Sequence, residues 1–135
     1  MKTVYLGGPI AGCTHEDMHD WREVLKWQGA YSFLFRDPTD RVYPETKVDH
    51  FLIKKIVTED KVDIAASDIL VQNISQLNKY RCVGTIQEIM YGWDMGKYVI
   101  VIVDPDDNVS PWVTYHCHKI VHSVEEAFEA MKEVR

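Results

Sequence analysis

Glu88 stands in the stretch RCVGTIQEIMY (residues 81–91), shortly after a glycine–threonine pair that marks a helix start. A glutamate in the first turn of a helix sits at the positive end of the macrodipole, which should keep its carboxylate ionised. That is the state a nucleophile needs. Glutamate suits any helix start for the same reason, so the residue alone assigns no chemistry. A second acidic group, Asp60, Asp63 and Asp68, lies upstream. Asp60 and Asp68, eight residues apart, share a side if one continuous helix carries both. Asp68 could equally cap or end that helix. Asp63, and Asp60 beside Lys61, read just as well as solvated surface.

Gly7-Gly8-Pro9 closes an apolar run and permits positive φ and a close approach of backbone to a ligand. A tight strand-to-helix turn explains it equally well. It is neither GxGxxG nor GxxxxGK[ST], so no dinucleotide fingerprint or P-loop is present. In YHCHK, His116 and His118 fall on one face of an extended segment. A metal would need further ligands, and His122, Cys13 or Cys82 would have to be recruited by folding. Histidines on an edge segment or a subunit contact are the simpler reading, and no metal is expected. No nucleophile elbow supports Ser-His-Asp or Cys-His catalysis.

The elements that must position these groups alternate between strand and helix. TVYL (3–6), YSFLF (31–35), ILVQN (69–73), YVIVIV (98–103) and KIV (119–121) read as strands. Thr14 can cap a helix whose apolar positions include Met18, Trp21, Leu25 and Trp27. The stretch from about Lys47 to Ala66 is helical, with Phe51, Ile53, Ile56 and Ile64 expected inward. The helix opened by Gly84-Thr85 ends near Gly96. Ser123 and Glu126 form a capping box for a last helix carrying Val124, Ala127, Phe128 and Met131. Trp21, Trp27 and Trp93 are expected in the core, while Trp112 suits a subunit interface or a stacked base. This alternation implies a three-layer α/β fold with a mostly parallel sheet, in which ligands bind beyond the carboxyl ends of the strands. The loops after the first, third and fourth strands should meet there.

At 135 residues the chain is expected to form one domain, residues 1–135, without repeats or linkers. A net charge of -6 argues against a nucleic-acid polymer as partner, which would require a basic stripe. No apolar run approaches the ~20 residues of a membrane helix, and the N-terminus enters a strand without a secretion-signal pattern. Three cysteines without a CxxC pair suit a reducing compartment. The expectation is a cytoplasmic protein with no membrane contact.

Three segments, VYLGGPI, EDKVDIAASDILV and VGTIQEIMYGWDMGKYVIVIV, together resemble the nucleoside 2-deoxyribosyltransferase superfamily. The tail NVSPWVTYHCHKIVHSVEEAFEAM resembles that of its shorter members, so the likeness covers nearly the whole chain in order. The resemblance implies a flavodoxin-like (Rossmann-like) domain with a five-stranded parallel sheet and no cofactor. It also implies homo-oligomers, dimeric or larger, whose active sites a neighbouring chain completes. Glu88 would be the nucleophile that displaces the base from the sugar anomeric carbon and leaves a covalent deoxyribosyl-enzyme. Tyr5 would orient it, and Asp60 would exchange protons with the base. Gly7, Gly8 and Pro9 would lie against the nucleoside, with Cys82, Gly84 and Thr85 at the helix start. Asn108 is the candidate supplied in trans.

One position departs from the pattern. Free-nucleoside transferases of that family carry an aspartate two residues before the glycine, and its nucleoside monophosphate hydrolases carry a serine. Here Cys82 stands in that place. Arg81, Thr85 and the helix N-terminus could favour a phosphate, although Arg81 reads equally as a solvated loop residue. Three functions follow: a transferase-type enzyme on 2'-deoxynucleosides, a 5'-monophosphate N-glycoside hydrolase, and a non-catalytic nucleotide-binding or sensor module on the same fold. Receiver-type signalling fits less well, because the third strand ends in Asn73.

Overall fold

The computed structural model describes residues 1–134. Five strands, β1 (Lys2–Gly7), β2 (Phe33–Arg36), β3 (Ile69–Asn73), β4 (Tyr98–Ile102) and β5 (Lys119–Val121), form one sheet in the order β2-β1-β3-β4-β5. Every pairing is parallel. Helices α1 (His15–Gly29), α2 (His50–Ala65), α3 (Val83–Asp94), α4 (Pro111–Tyr115) and α5 (Val124–Lys132) make the connections, with a short 3-10 turn at Pro38–Asp40 after β2. This is the flavodoxin-like order, whose switch point lies between β1 and β3. No described helix is long and apolar enough to cross a membrane.

Two apolar layers hold the sheet. On one face Val4, Leu6, Ile69 and Val71 pack with Trp21 and Leu25 of α1 and Ala127 and Met131 of α5. On the other face Tyr5, Leu70, Val99 and Val101 pack with Ile64 of α2, Ile89 of α3 and Val113 of α4. β3 and most of β4 are buried on both sides, as continuous apolar runs require. The expected caps form: Thr14 accepts from Asp17 N at 3.1 Å and Ser123 from Glu126 N at 3.1 Å. Asp68 ends α2's connection by accepting from Thr3 N at 2.9 Å, which ties β3 to β1.

Several expectations shift. α2 starts at His50, capped by Asp49, and not near Lys47. Its inward stripe runs through Leu52, Ile56, Asp60 and Ile64, leaving Phe51 and Ile53 exposed. Apolar residues stand on both sides of this helix, so periodicity could not set its rotation. Trp27 is 82% exposed because it lies about 200° around α1 from buried Leu25. β2 begins at Phe33 and leaves Tyr31 exposed. Trp112 is exposed and stacks on His116 at 6.0 Å, and Trp93 is half-buried against His118.

Candidate active site

A cleft of about 800 Å³ opens beyond the carboxyl ends of β1 and β3. It is lined by Tyr5, the Gly8–Ala11 loop, Asp60 and Ile56 of α2, the Lys79–Thr85 segment and Glu88. Met18 and the loop residues Pro38, Thr39, Arg41 and Tyr43 complete the wall. Of the residues singled out from sequence, Tyr5, Gly8, Pro9, Asp60, Cys82, Gly84, Thr85 and Glu88 meet here. Gly7 and Asn108 do not line it.

Gly7 has a different task. A Cβ there would lie 1.7 Å from Oε1 of the fully buried Gln72 side chain on neighbouring β3. Neither Gly7 nor Gly8 adopts positive φ, so the pair serves close packing and not an unusual turn. Asn108 is exposed on the loop after β4.

Glu88 lies in the second turn of α3, because the helix begins at Val83 with Cys82 as cap residue. Its carboxyl accepts a hydrogen bond from Tyr5 Oη at 2.7 Å. The expectation of a dipole-ionised carboxylate does not hold. Burial pushes the Glu88 pKa up to about 8, Tyr5 opposes this, and the Asp60 carboxyl beside it adds to the rise. The macrodipole acts mainly within the first turn and cannot offset this desolvation. Asp60 is raised too, again by burial, with Arg41 pulling it back. The two carboxyls therefore titrate as an interacting pair, with burial favouring the protonated form of each. Tyr5 is 1% exposed, and burial, followed by the Glu88 charge, holds its phenol protonated and donating.

Sequence reasoning missed the residues that fix this arrangement. Arg41 Nη1 donates to Asp60 at 2.5 Å and Nη2 to Asp63 at 2.6 Å. Asp63, read as solvated surface, is thus half-buried between Arg41 and Arg36, the latter at 2.8 Å. Arg22 of α1 is fully buried and donates to Leu6 O at 3.3 Å, Met18 O at 2.6 Å and Gly8 O at 3.2 Å. It also pairs with buried Asp37 at 3.5 Å, so one side chain binds the β1 loop, α1 and the β2 loop together. An arginine on the inward phase of α1, beside Trp21 and Leu25, was the signal available in sequence.

At the mouth, Cys82 is the one non-glycine described residue with positive φ, +54°. Its thiol turns toward Tyr80 O at 3.4 Å, so no side chain caps α3. Burial pushes that thiol up to about 11, which keeps it neutral. The loops around it are cross-tied: Asp17 accepts from Lys79 and from Tyr80 Oη, both at 2.7 Å.

The histidine pair lies elsewhere. His118 Nδ1 accepts from Val99 N at 3.0 Å, and its ring stacks on Tyr98 at 4.5 Å. His116 Nδ1 bonds Trp112 O at 2.6 Å. Among the described residues, Glu23, Asp37 and Asp40 cluster with metal-ligand spacing, but Lys26 Nζ sits among them at 2.9, 2.9 and 3.3 Å.

No protein-family model matches the chain, and no curated protein matches it. Solved structures do. A 2-deoxyribosyltransferase from Bacillus psychrosaccharolyticus aligns at TM-score 0.76 and 16% identity, over 93% of this chain and 90% of that one. A 2-deoxyribosyltransferase from Leishmania mexicana aligns at 0.69 and 18%, over 98% of both chains. A CMP N-glycosidase from Clostridium botulinum aligns at 0.62 and 15%, over 97% and 98%. At these identities the likeness establishes the shared fold.

Proposed function

We propose that this chain is an enzyme of the nucleoside 2-deoxyribosyltransferase type. It cleaves the N-glycosidic bond of a 2'-deoxynucleoside and passes the sugar to another base or to water. The observation that carries the reading is the Tyr5–Glu88–Asp60 group at the switch-point cleft. Two carboxyls line the cleft together there, and a phenol donates to one of them. Base displacement passes through an oxocarbenium-like state and needs a carboxylate nucleophile paired with an acid. Glu88 attacks the anomeric carbon, Asp60 protonates the departing base, and Tyr5 holds the Glu88 carboxylate in line. Gly8, Pro9, Gly84 and Thr85 form the surface against which the nucleoside lies. No cofactor takes part. Likeness of fold to deoxyribosyltransferases supports the reading.

In this proposal the enzyme works as a homo-oligomer, with a neighbouring copy bringing Asn108 to the cleft. That placement agrees with Asn108 being exposed and outside its own chain's cleft.

A second reading, hydrolysis of 2'-deoxynucleoside 5'-monophosphates by the same glutamate, draws on one feature. Cys82 leaves the α3 start without a side-chain cap or a carboxylate, and Lys79 and Arg81 line the cleft beside it. Backbone amides at such a helix end suit an anion.

One chromatographic assay tests both. Deoxynucleosides and their monophosphates are incubated with and without a second free base. A new nucleoside indicates transfer, and free base from monophosphates alone indicates hydrolysis. Glu88→Ala should abolish base release, at least 10³-fold by the size expected for a lost nucleophile, while the circular-dichroism spectrum stays unchanged. Full activity in that variant excludes the mechanism. Ligand binding without base release from any substrate would favour the binding-module function instead.

A further inference from the structure

Arg41 joins the carboxyl pair to the protein surface. It reaches into the cleft from the irregular stretch 41–49 between the 3-10 turn and α2, and its side chain is only 17% exposed. Its planar fork is pinned at both nitrogens, on Asp60 at 2.5 Å and on Asp63 at 2.6 Å, and Arg36 holds Asp63 from behind. A guanidinium so placed is always charged and geometrically fixed. The other charges facing the pair are few. Glu88 meets Tyr5 from β1, Asp60 from α2 and, more distantly, buried Arg22 from α1. Asp60 meets Arg41, Asp63 and Glu88. Among the described residues, only Asp60 of the two carboxyls has a cation in direct contact.

We propose that Arg41 is a positioning residue that decides which of the two carboxyls is protonated: it holds Asp60 ionised and leaves the proton on Glu88 while the cleft is empty. This inference rests on the glycosidic reading above for its functional consequence. The reaction needs the opposite arrangement. The proton passes from Glu88 to Asp60, and the freed Glu88 oxygen forms the bond to the anomeric carbon. The carbon–nitrogen bond breaks with its electron pair going to the base, which takes the proton from Asp60. Asp60 is then ionised again and returns to Arg41, while Glu88 is a neutral ester. A base that settles beside Asp60 and loosens the Arg41 contact therefore arms the nucleophile.

The test is a carbon-13 NMR titration of the Glu88 and Asp60 carboxyl carbons in the substrate-free protein. In the wild type, the higher-pH step should fall on Glu88. In Arg41→Gln, at least half of that step should move to Asp60, and Arg41→Lys should restore it to Glu88. Arg41→Met, which keeps the apolar stem, repeats the measurement should glutamine loosen the loop. A higher-pH step that stays wholly on Glu88 in both neutral variants overturns the proposal. The titration needs no substrate, so it stands or falls apart from the base-release assay. Where that assay succeeds, the alkaline limb of kcat/KM should rise by about one pH unit in Arg41→Gln, as losing a neighbouring cation demands. An unmoved limb also overturns the proposal.

Discussion

Burial of Glu88 leaves a signature in stability as well as in reactivity. The ordinary glutamate value is 4.5, and the folded protein holds this proton to about 8. Between those pH values the folded state binds more protons than the unfolded chain, so stability falls as pH rises. The contribution is complete below pH ~4.5 and lost through pH ~8, on the order of a few kcal/mol. Glu88→Gln should flatten this slope: its denaturation midpoint should change little between pH 5 and 8, while the wild type declines, because glutamine has no proton to lose. Equal slopes in urea titrations of the two proteins would show that Glu88 ionises freely in the fold. The residue type was legible in sequence and its protonation was not. That protonation depends on burial, on a hydrogen bond from Tyr5, 83 residues away, that opposes the rise, and on α2 rotating Asp60 inward to add to it.

Among the elements, α3 matters most because it carries Glu88 against the sheet. It packs on β3 at Gly92, where an added Cβ would stand 2.2 Å from Leu70 Cδ2. Gly92 and Glu88 are four residues apart and share a helix face. Gly92→Ala should therefore lift the helix from the sheet, costing about 1–3 kcal/mol by thermal denaturation. It should also reduce kcat well beyond any change in folded fraction, up to ~10²-fold if the carboxyl moves by an ångström. An unchanged kcat would mean that the helix tolerates the displacement without moving Glu88. Strand and helix order could be read from the chain because apolar runs such as YVIVIV fit only a doubly covered strand. Helix phase was harder. α2 presents Phe51, Leu52 and Ile53 in succession, and only the packing of the folded chain buries Leu52 and leaves its neighbours exposed. Arg22 was hard to read for a related reason: its inward phase is visible, but a buried arginine is explained only by the carbonyls of Leu6, Gly8 and Met18 that receive it.

Across the whole molecule, net negative charge coexists with a cleft whose rim is locally basic at Lys79 and Arg81. Cys82 lies between that rim and the helix start, in a backbone conformation that disfavours most side chains. Aspartate and asparagine enter the left-handed region more readily than cysteine, so this backbone tolerates an acidic replacement. Cys82→Asp would set a carboxylate beside the open amides of α3. Binding of a deoxynucleoside 5'-monophosphate relative to its nucleoside should then weaken by about tenfold or more, the effect of two like charges across a partly hydrated gap. Calorimetric titration of both ligands checks this, and an unchanged ratio would place the phosphate elsewhere. The left-handed turn at Cys82 thus separates two properties of the proposed site. In the proposed reaction, preference for a charged or uncharged substrate can change at one residue of the rim, while the Glu88–Asp60 pair stays as it is.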